Sequence, residues 1–411
     1  MTKERLKPET FRLELDKLRR GWFSAVYFCR EAKVLEQRSF SKQALMQVFQ
    51  KRDVTLCGTD ETIAVLRTCS GYYRTPDKAH KLFDRLLDIE KQMAELAVNS
   101  RGDKVSRFAC AKDKIELEFE LDALWENTGK DLVIKALHDG DKITPWETVM
   151  TIEGRPQHFA HLESIYLGAL ARRTMVATNV ARVVEAAQGK KIYFFADRFD
   201  DYKNQTGDGY AAMVGGGFGL ATDAMSQWWG NVKAGGTMPH ALIACLEGDT
   251  VAATIAFAET YPDVPCISLV DFHNDCVNTS LAVAKALKER SLKLWGARLD
   301  TSENMPDQSL IRNGQLGREK PTGVNPTLVR NVRGALDTNG YQDVKIIVSG
   351  GFTAEKIAEF EKHRVPVDAY GCGSSLLKNG GDFTADIVMV DHKLCAKVGR
   401  SYNPNDRLEL A

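Results

Sequence analysis

The feature that most constrains this chain is a run of short apolar segments after Gly154, each followed by polar or glycine residues and then by a helix-like stretch. In order they are KIYFFA, ALIACL, CISLVD, KLWGARLD, VKIIVSGG and DAYGCGSS. Short buried strands alternating with helices predict parallel β/α units, and their number predicts a closed barrel in preference to an open sheet. Barrels of this kind keep their chemistry at strand C-termini, and the polar residues here fall at those positions.

Arg198 follows the first strand, Asp271 closes CISLVD, and Arg298 and Asp300 close KLWGARLD. Ser349, Gly350 and Gly351 close VKIIV, and Gly371, Gly373 and Ser374 close the last strand. Late glycine-rich loops in a barrel predict a phosphate cradle, since exposed backbone N–H groups and a following helix N-terminus both favour anions. Upstream, Gly235 and Gly236 precede Thr237 and His240. Glycine there allows close backbone approach, and a histidine behind a donor-rich turn is placed to handle phosphate. Each feature has a plain structural use by itself, glycine in turns and aspartate as a helix cap. Their coincidence at the strand ends points to one site.

An arginine with two carboxylates, Asp271 and Asp300, points to a polyphosphate accompanied by Mg²⁺. No His, Cys and acid cluster has the spacing of a transition-metal site, and the sequence lacks the GxxxxGK[ST] nucleotide loop. A phosphorylated sugar is therefore the better candidate.

Composition narrows the partners. A length of 411 residues exceeds one small core and predicts two domains. Basic and acidic side chains cancel at 55 each, so no broad field favours nucleic acid or an anionic membrane, and any anion must be held locally. The charged start, MTKERLKPETFRLELDKLRRG, lacks a signal peptide's apolar core, and ALIACL is broken by Glu247, Gly248 and Asp249 before it could span a bilayer. Nine cysteines without a CxxC pair imply neither a disulfide framework nor a zinc knuckle. The expected compartment is the cytoplasm.

Before Gly154 the pattern differs. Residues 10–37 show helical periodicity through GWFSAVYFCR, with Tyr27 in an aromatic cluster. Thr75, Pro76 and Asp77 predict a helix start, with Leu82, Phe83, Leu86, Met93 and Leu96 following at helical spacing. Ile115, Leu117, Phe119 and Leu121 alternate with Glu116, Glu118 and Glu120, which predicts a half-exposed antiparallel strand. LVIKAL and ITPWETVMTI, joined through Asp139, Gly140 and Asp141, predict a hairpin, and His161 to Ala187 predicts a long helix. The expected architecture is α/β: an N-terminal α+β domain over residues 1–154, joined by the strand-like segment 385–411, and a barrel over 155–384.

The sequence resembles the nicotinate phosphoribosyltransferases, particularly their compact microbial and archaeal branch. The matching stretches are VYFCR, DGDKITPWETVMTIEG, LESIYLGALARRTMVATNVARVVEAA, FADRFDD, VGGGFGLAT, GGTMPHALI, SLVDFHND, GARLDTS, IIVSGGFT, DAYGCGSSL and DFTADIVMV, in family order from about Tyr27 to Arg400. The resemblance implies a type II phosphoribosyltransferase, with an N-terminal α/β sandwich and an irregular α/β barrel, assembled as a homodimer with shared active sites. It implies transfer from phosphoribosyl pyrophosphate to nicotinate, giving nicotinate mononucleotide and pyrophosphate in NAD biosynthesis, with Mg²⁺ and coupled ATP hydrolysis.

By the same resemblance His240 becomes phosphorylated, Tyr27 stacks on the pyridine ring across the dimer, and Arg198 lies near nicotinate. Arg298 and Asp300 contact the ribose and pyrophosphate region, with Asp271 close by. Gly236, Thr237 and Thr178 are substrate-side positions, and Gly350, Gly351, Gly373 and Ser374 match the 5′-phosphate cradle, which Ser349 and Gly371 adjoin.

Some departures bear on the pyridine. Ala25 stands where members often carry an acid two positions before the tyrosine, Phe199 replaces a second arginine, and Phe272 and His273 follow Asp271 in place of the more usual VDTYD. The charged segment 76–105 resembles an insertion relative to short members. Nicotinamide and quinolinate are alternative substrates, the latter drawing on Arg172 and Arg173, and a non-catalytic regulatory homologue is an alternative function.

Overall fold

The sequence changes character at Gly154, yet the packing divides further along the chain. The computed structural model, which describes residues 4–99, 103–230, 234–317 and 320–411, separates into two units, Met1–Thr174 with Gly381–Ala411, and Met175–Gly380. The division falls inside one helix, Glu163–Ala186. Its first turns are committed to the first unit, where Tyr166 and Leu170 are buried in a core with Val48, Met150 and Ile152.

The first unit contains α1 (Val26–Gln37), β1 (Ala44–Phe49), α2 (Thr59–Cys69), α3 (Pro76–Asn99), α4 (Lys104–Leu124), β2 (Val133–Ala136), β3 (Thr148–Gly154) and the start of α5 (Glu163–Ala186). Strand β1 is central, pairing antiparallel with β3 on one side and with Thr384–Val390 on the other. The predicted hairpin is present as β2 and β3. Helix α3 starts at Pro76, where a missing N–H costs nothing.

Residues 115–121, predicted as a strand, lie instead in helix α4. Leu117 and Leu121, one turn apart, are buried with Leu82, Phe83 and Leu86 of α3, whereas Ile115 is 51% and Phe119 73% exposed. The alternation with glutamate comes from a narrow inward stripe beside apolar residues left on the outer face. Burial at every fourth residue, not every second, decides the element.

The second unit holds a parallel sheet of β4 (Lys191–Phe194), β5 (Gly219–Leu220), β6 (Ile267–Leu269), β7 (Gly296–Leu299), β8 (Lys345–Val348) and β9 (Ala369–Cys372), in the order β6-β7-β8-β9-β4-β5. It is a half-barrel, because β5 and β6 at its ends do not pair among the described residues. The α/β class and the parallel arrangement agree with expectation. ALIACL differs: it belongs to a short helix, α6 (His240–Cys245), entered from an extended Pro239 and burying Ile243 alone. A segment covered on one side only has no use for a strand's two-sided burial.

Register places the strand ends side by side. Leu269 opposes Arg298, Leu299 opposes Val348, Val348 opposes Tyr370, and Cys372 opposes Phe194. The segments that leave these strands at Val270, Asp300, Ser349, Gly373 and Phe195 therefore depart from one edge of the sheet. Among the described residues no helix is long and apolar enough to cross a membrane.

Candidate active site

Arg298, near the C-terminal end of β7, is the centre of the polar network at that edge. Its Nε donates to Ser349 Oγ at 2.9 Å, one terminal nitrogen donates to Thr237 Oγ1 at 3.0 Å, and the other to Asp300 Oδ2 at 3.1 Å. Ser349 Oγ in turn donates to Asp300 Oδ1 at 2.7 Å. The guanidinium carbon lies 5.1 Å from the centre of the Phe195 ring, within cation–π range. A guanidinium has five N–H donors; with three engaged here, two remain for a ligand.

His240 opens α6 and is 45% exposed, with Nε2 at 3.1 Å from both oxygens of Asp271, which is 7% exposed. The hydrogen bond to Asp271 raises the imidazole above its ordinary range; partial burial opposes it, the charges of Asp271 and Asp300 add to the rise, and Arg298 works against it. The pair is thus electrostatically tied to the Arg298 network.

Beyond β8, Gly350 and Gly351 take φ values of +89° and +69°, a left-handed region that glycine enters without penalty. A side chain at Gly351 would place Cβ 2.0 Å from Glu303 Oε1. Helix α7 (Ala354–Lys362) follows, capped by Thr353, and Lys356 Nζ donates to the Gly350 carbonyl at 3.4 Å. Burial holds the Lys356 ammonium below the usual lysine range. At the end of β9, glycine is demanded by neighbouring rings: a Cβ at Gly371 would lie 2.5 Å from Phe195, and one at Gly373 2.6 Å from Phe199. Ser374 opens a 3-10 turn, and the next residue, Ser375, donates to the Phe352 carbonyl at 2.7 Å, tying the two glycine-rich loops together.

Thr237, Arg298, Asp300 and Ser349 are therefore in direct contact, with Gly350 against Asp300 and with the His240–Asp271 pair coupled to them. Arg198 is exposed, 5.8 Å from the Phe199 ring centre, and makes no hydrogen bond or ion pair among the described residues. Gly236 has nothing within 4 Å of where a Cβ would be, and Thr178 is buried on α5. Tyr27 lies in the first unit on α1, 64% exposed, its ring 4.3 Å from that of Phe28. Arg173 is committed to Glu61 at 2.9 Å. Sequence reasoning missed Phe195 as the surface under Arg298, and also Glu303 and Lys356 at the glycine turn. A signal existed for Phe195, which shares the strand face of Tyr193 two residues earlier and stacks on it at 5.9 Å.

No known family's sequence profile matches the chain. In sequence it is similar to nicotinate phosphoribosyltransferase pncB1 of Mycobacterium tuberculosis, 28% identical over 255 residues, covering 61% of this chain and 51% of that protein. The chain spans about half the length of the curated relatives it matches. In structure it is similar to nicotinate-nucleotide pyrophosphorylase from Pyrococcus furiosus, with a TM-score of 0.69 and 27% identity over 95% of this chain and 81% of that one. Human nicotinic acid phosphoribosyltransferase shares the fold, with a TM-score of 0.61 and 16% identity over 90% of this chain and 75% of that one.

Proposed function

We propose that this chain, a relative of the nicotinate phosphoribosyltransferases with the type II fold, joins nicotinate to phosphoribosyl pyrophosphate in NAD salvage. The observation that carries the reading is the Arg298 network beside the Gly350–Gly351 turn. In the reaction the pyridine nitrogen attacks the anomeric carbon and the C–O bond to pyrophosphate breaks. Positive charge builds on the ribose and negative charge on the leaving group. Arg298, already fixed by Thr237, Asp300 and Ser349, supplies counter-charge that needs little reorganisation.

Gly350, Gly351 and the N–H groups opening α7 cradle the 5′-phosphate, with Lys356 nearby, and Gly371, Gly373 and Ser374 complete the cradle. Asp271 and Asp300 offer the hard oxygen donors that Mg²⁺ prefers, and their engaged carboxylates keep lone pairs to spare. Mg²⁺ held there would neutralise charge on the pyrophosphate. Arg198 pairs with the nicotinate carboxylate, and Tyr27 stacks on its ring across a homodimer. Gly236 and Thr178 are substrate-side positions.

ATP hydrolysis is coupled through His240. With Nε2 held by Asp271, the other ring nitrogen attacks the γ-phosphorus; an N–P bond forms as the P–O bond breaks and ADP leaves. Water later cleaves the N–P bond and releases phosphate.

The test is to incubate purified protein with phosphoribosyl pyrophosphate, Mg²⁺ and nicotinate, nicotinamide or quinolinate in turn, with and without ATP. Mononucleotide from nicotinate alone is expected. Product from another pyridine reassigns the substrate, and no product from any favours a non-catalytic homologue. His240→Ala should lose ATP hydrolysis and ATP stimulation while keeping basal transfer; unchanged stimulation removes His240 from its role. Mixing inactive Tyr27→Ala and Arg298→Ala proteins should restore activity if sites are shared between subunits, and no recovery refutes the sharing.

A further inference from the structure

The first unit carries a cleft of about 690 Å³ that the proposed reaction does not use. Its walls come from one face of α1, the strand Gly71–Tyr73 with the start of α3, and residues 155–161. The volume is in the range of small-molecule sites, and the lining has a definite chemical character.

Arg20, Lys33 and Arg155 line the cleft and make no ion pair among the described residues; Arg20 donates to His80 Nδ1 at 2.8 Å. They outnumber the lining carboxylates Glu36 and Asp77. Tyr72 pairs with the His158 ring at 5.2 Å. Burial, and then the charge of Arg155, hold His158 below the ordinary imidazole range, so this face is uncharged near neutral pH. Three further lining side chains each keep a buried polar atom without a hydrogen-bond partner: the Tyr73 hydroxyl, Trp125 Nε1 and Gln157 Oε1. Trp125 is only 8% exposed. Those three atoms are enclosed within the wall and present no accessible surface to the cleft, so its binding character rests on the cations and the aromatic pair.

We propose that this cleft binds a small aromatic anion of mononucleotide size. Arg20, Lys33 and Arg155 hold its phosphate, and the Tyr72–His158 pair stacks on its ring. Occupancy also bears on α1. Cys29, Ala32, Lys33 and Glu36 reach the cleft at i, i+3, i+4 and i+7, whereas Tyr27 lies on the opposite face of the same helix. A bound anion would brace the helix that presents Tyr27. That consequence rests on the role proposed for Tyr27; the binding does not.

The test uses AMP as probe on the full chain, followed by calorimetry, with adenosine and inorganic phosphate as separate arms. Saturable AMP binding is expected, with each fragment roughly tenfold or more weaker than AMP. An Arg20→Glu, Arg155→Glu double variant should weaken AMP roughly tenfold or more. Tyr72→Ala, at an exposed position, should weaken AMP while leaving inorganic phosphate unchanged, which keeps the test open if the double variant folds poorly. Arg298→Ala should bind AMP as the parent does, even if the chain proves to transfer nothing. Absence of saturable binding, unchanged affinity in the cleft variants, phosphate binding as tightly as AMP, or displacement of AMP by phosphoribosyl pyrophosphate would each overturn the proposal.

Discussion

Two places in the molecule, the strand ends of one unit and the cleft wall of the other, treat their polar side chains in opposite ways. In Met175–Gly380, strand ends bring Thr237, Arg298, Asp300 and Ser349 into a network where each group satisfies another. In the first unit the cleft leaves polar atoms of Tyr73, Trp125 and Gln157 without partners. Two histidines show the same contrast. His240 meets a carboxylate and is raised, whereas His161 meets the Cys69 carbonyl at 3.2 Å and is pushed down to about 4, chiefly by burial. Residue type therefore does not settle chemistry; the partner supplied by the fold does.

The contrast breaks most visibly at Arg298. Its replacement by alanine should lower kcat/KM for mononucleotide formation on the order of 10²–10³-fold, the scale of losing a preorganised charge partner. A fall of less than about tenfold would mean the network is structural only.

The next largest effect concerns His161. Its folded value lies below the ordinary 6.5, so its contribution is complete above about pH 6.5 and is lost as pH falls toward about 4, by roughly 3 kcal/mol in all. Urea unfolding across that window should show the slope, and His161→Gln should flatten it. An equally steep curve in the variant assigns the acid sensitivity elsewhere.

Gly371→Ala sharpens the comparison from the packing side. The new Cβ meets the Phe195 ring and should cost about 1–3 kcal/mol, as overpacking does. Phe195→Leu in the same chain should recover part of the loss of Tm. An unchanged Tm would mean the ring beneath Arg298 is not held in place.

The smallest effect is electrostatic. Asp271→Asn should move the His240 titration down toward ordinary imidazole, followed by NMR of the ring protons. Since Asp271 raises His240, any stability from the pair is complete below the ordinary imidazole value and lost as pH rises through the folded one. An unmoved titration would show that Asp271 is not its cause.

Much of the second unit is legible because parallel strands are short apolar runs whose last residues carry chemistry, and Arg298, Asp300 and Ser349 stand at such ends. What is not legible depends on contacts between distant segments: Phe195 under Arg298, or Glu303 beside Gly351. Helix α4 reads as a strand in sequence because its outward Ile115 and Phe119 imitate a strand's period. ALIACL reads as a buried strand because a short apolar run has no period of its own to tell the two apart.

Strand β1 lies between β3 and Thr384–Val390, so its second neighbour leaves the ribosome only after the whole of Met175–Gly380. At roughly 5–20 residues per second that is a wait on the order of ten seconds or more. Through that interval the apolar ALMQVF segment has an open hydrogen-bonding edge. During synthesis, the nascent chain is most in need of a chaperone at its earliest sheet strand, and truncation ahead of Thr384 would make that transient hazard permanent.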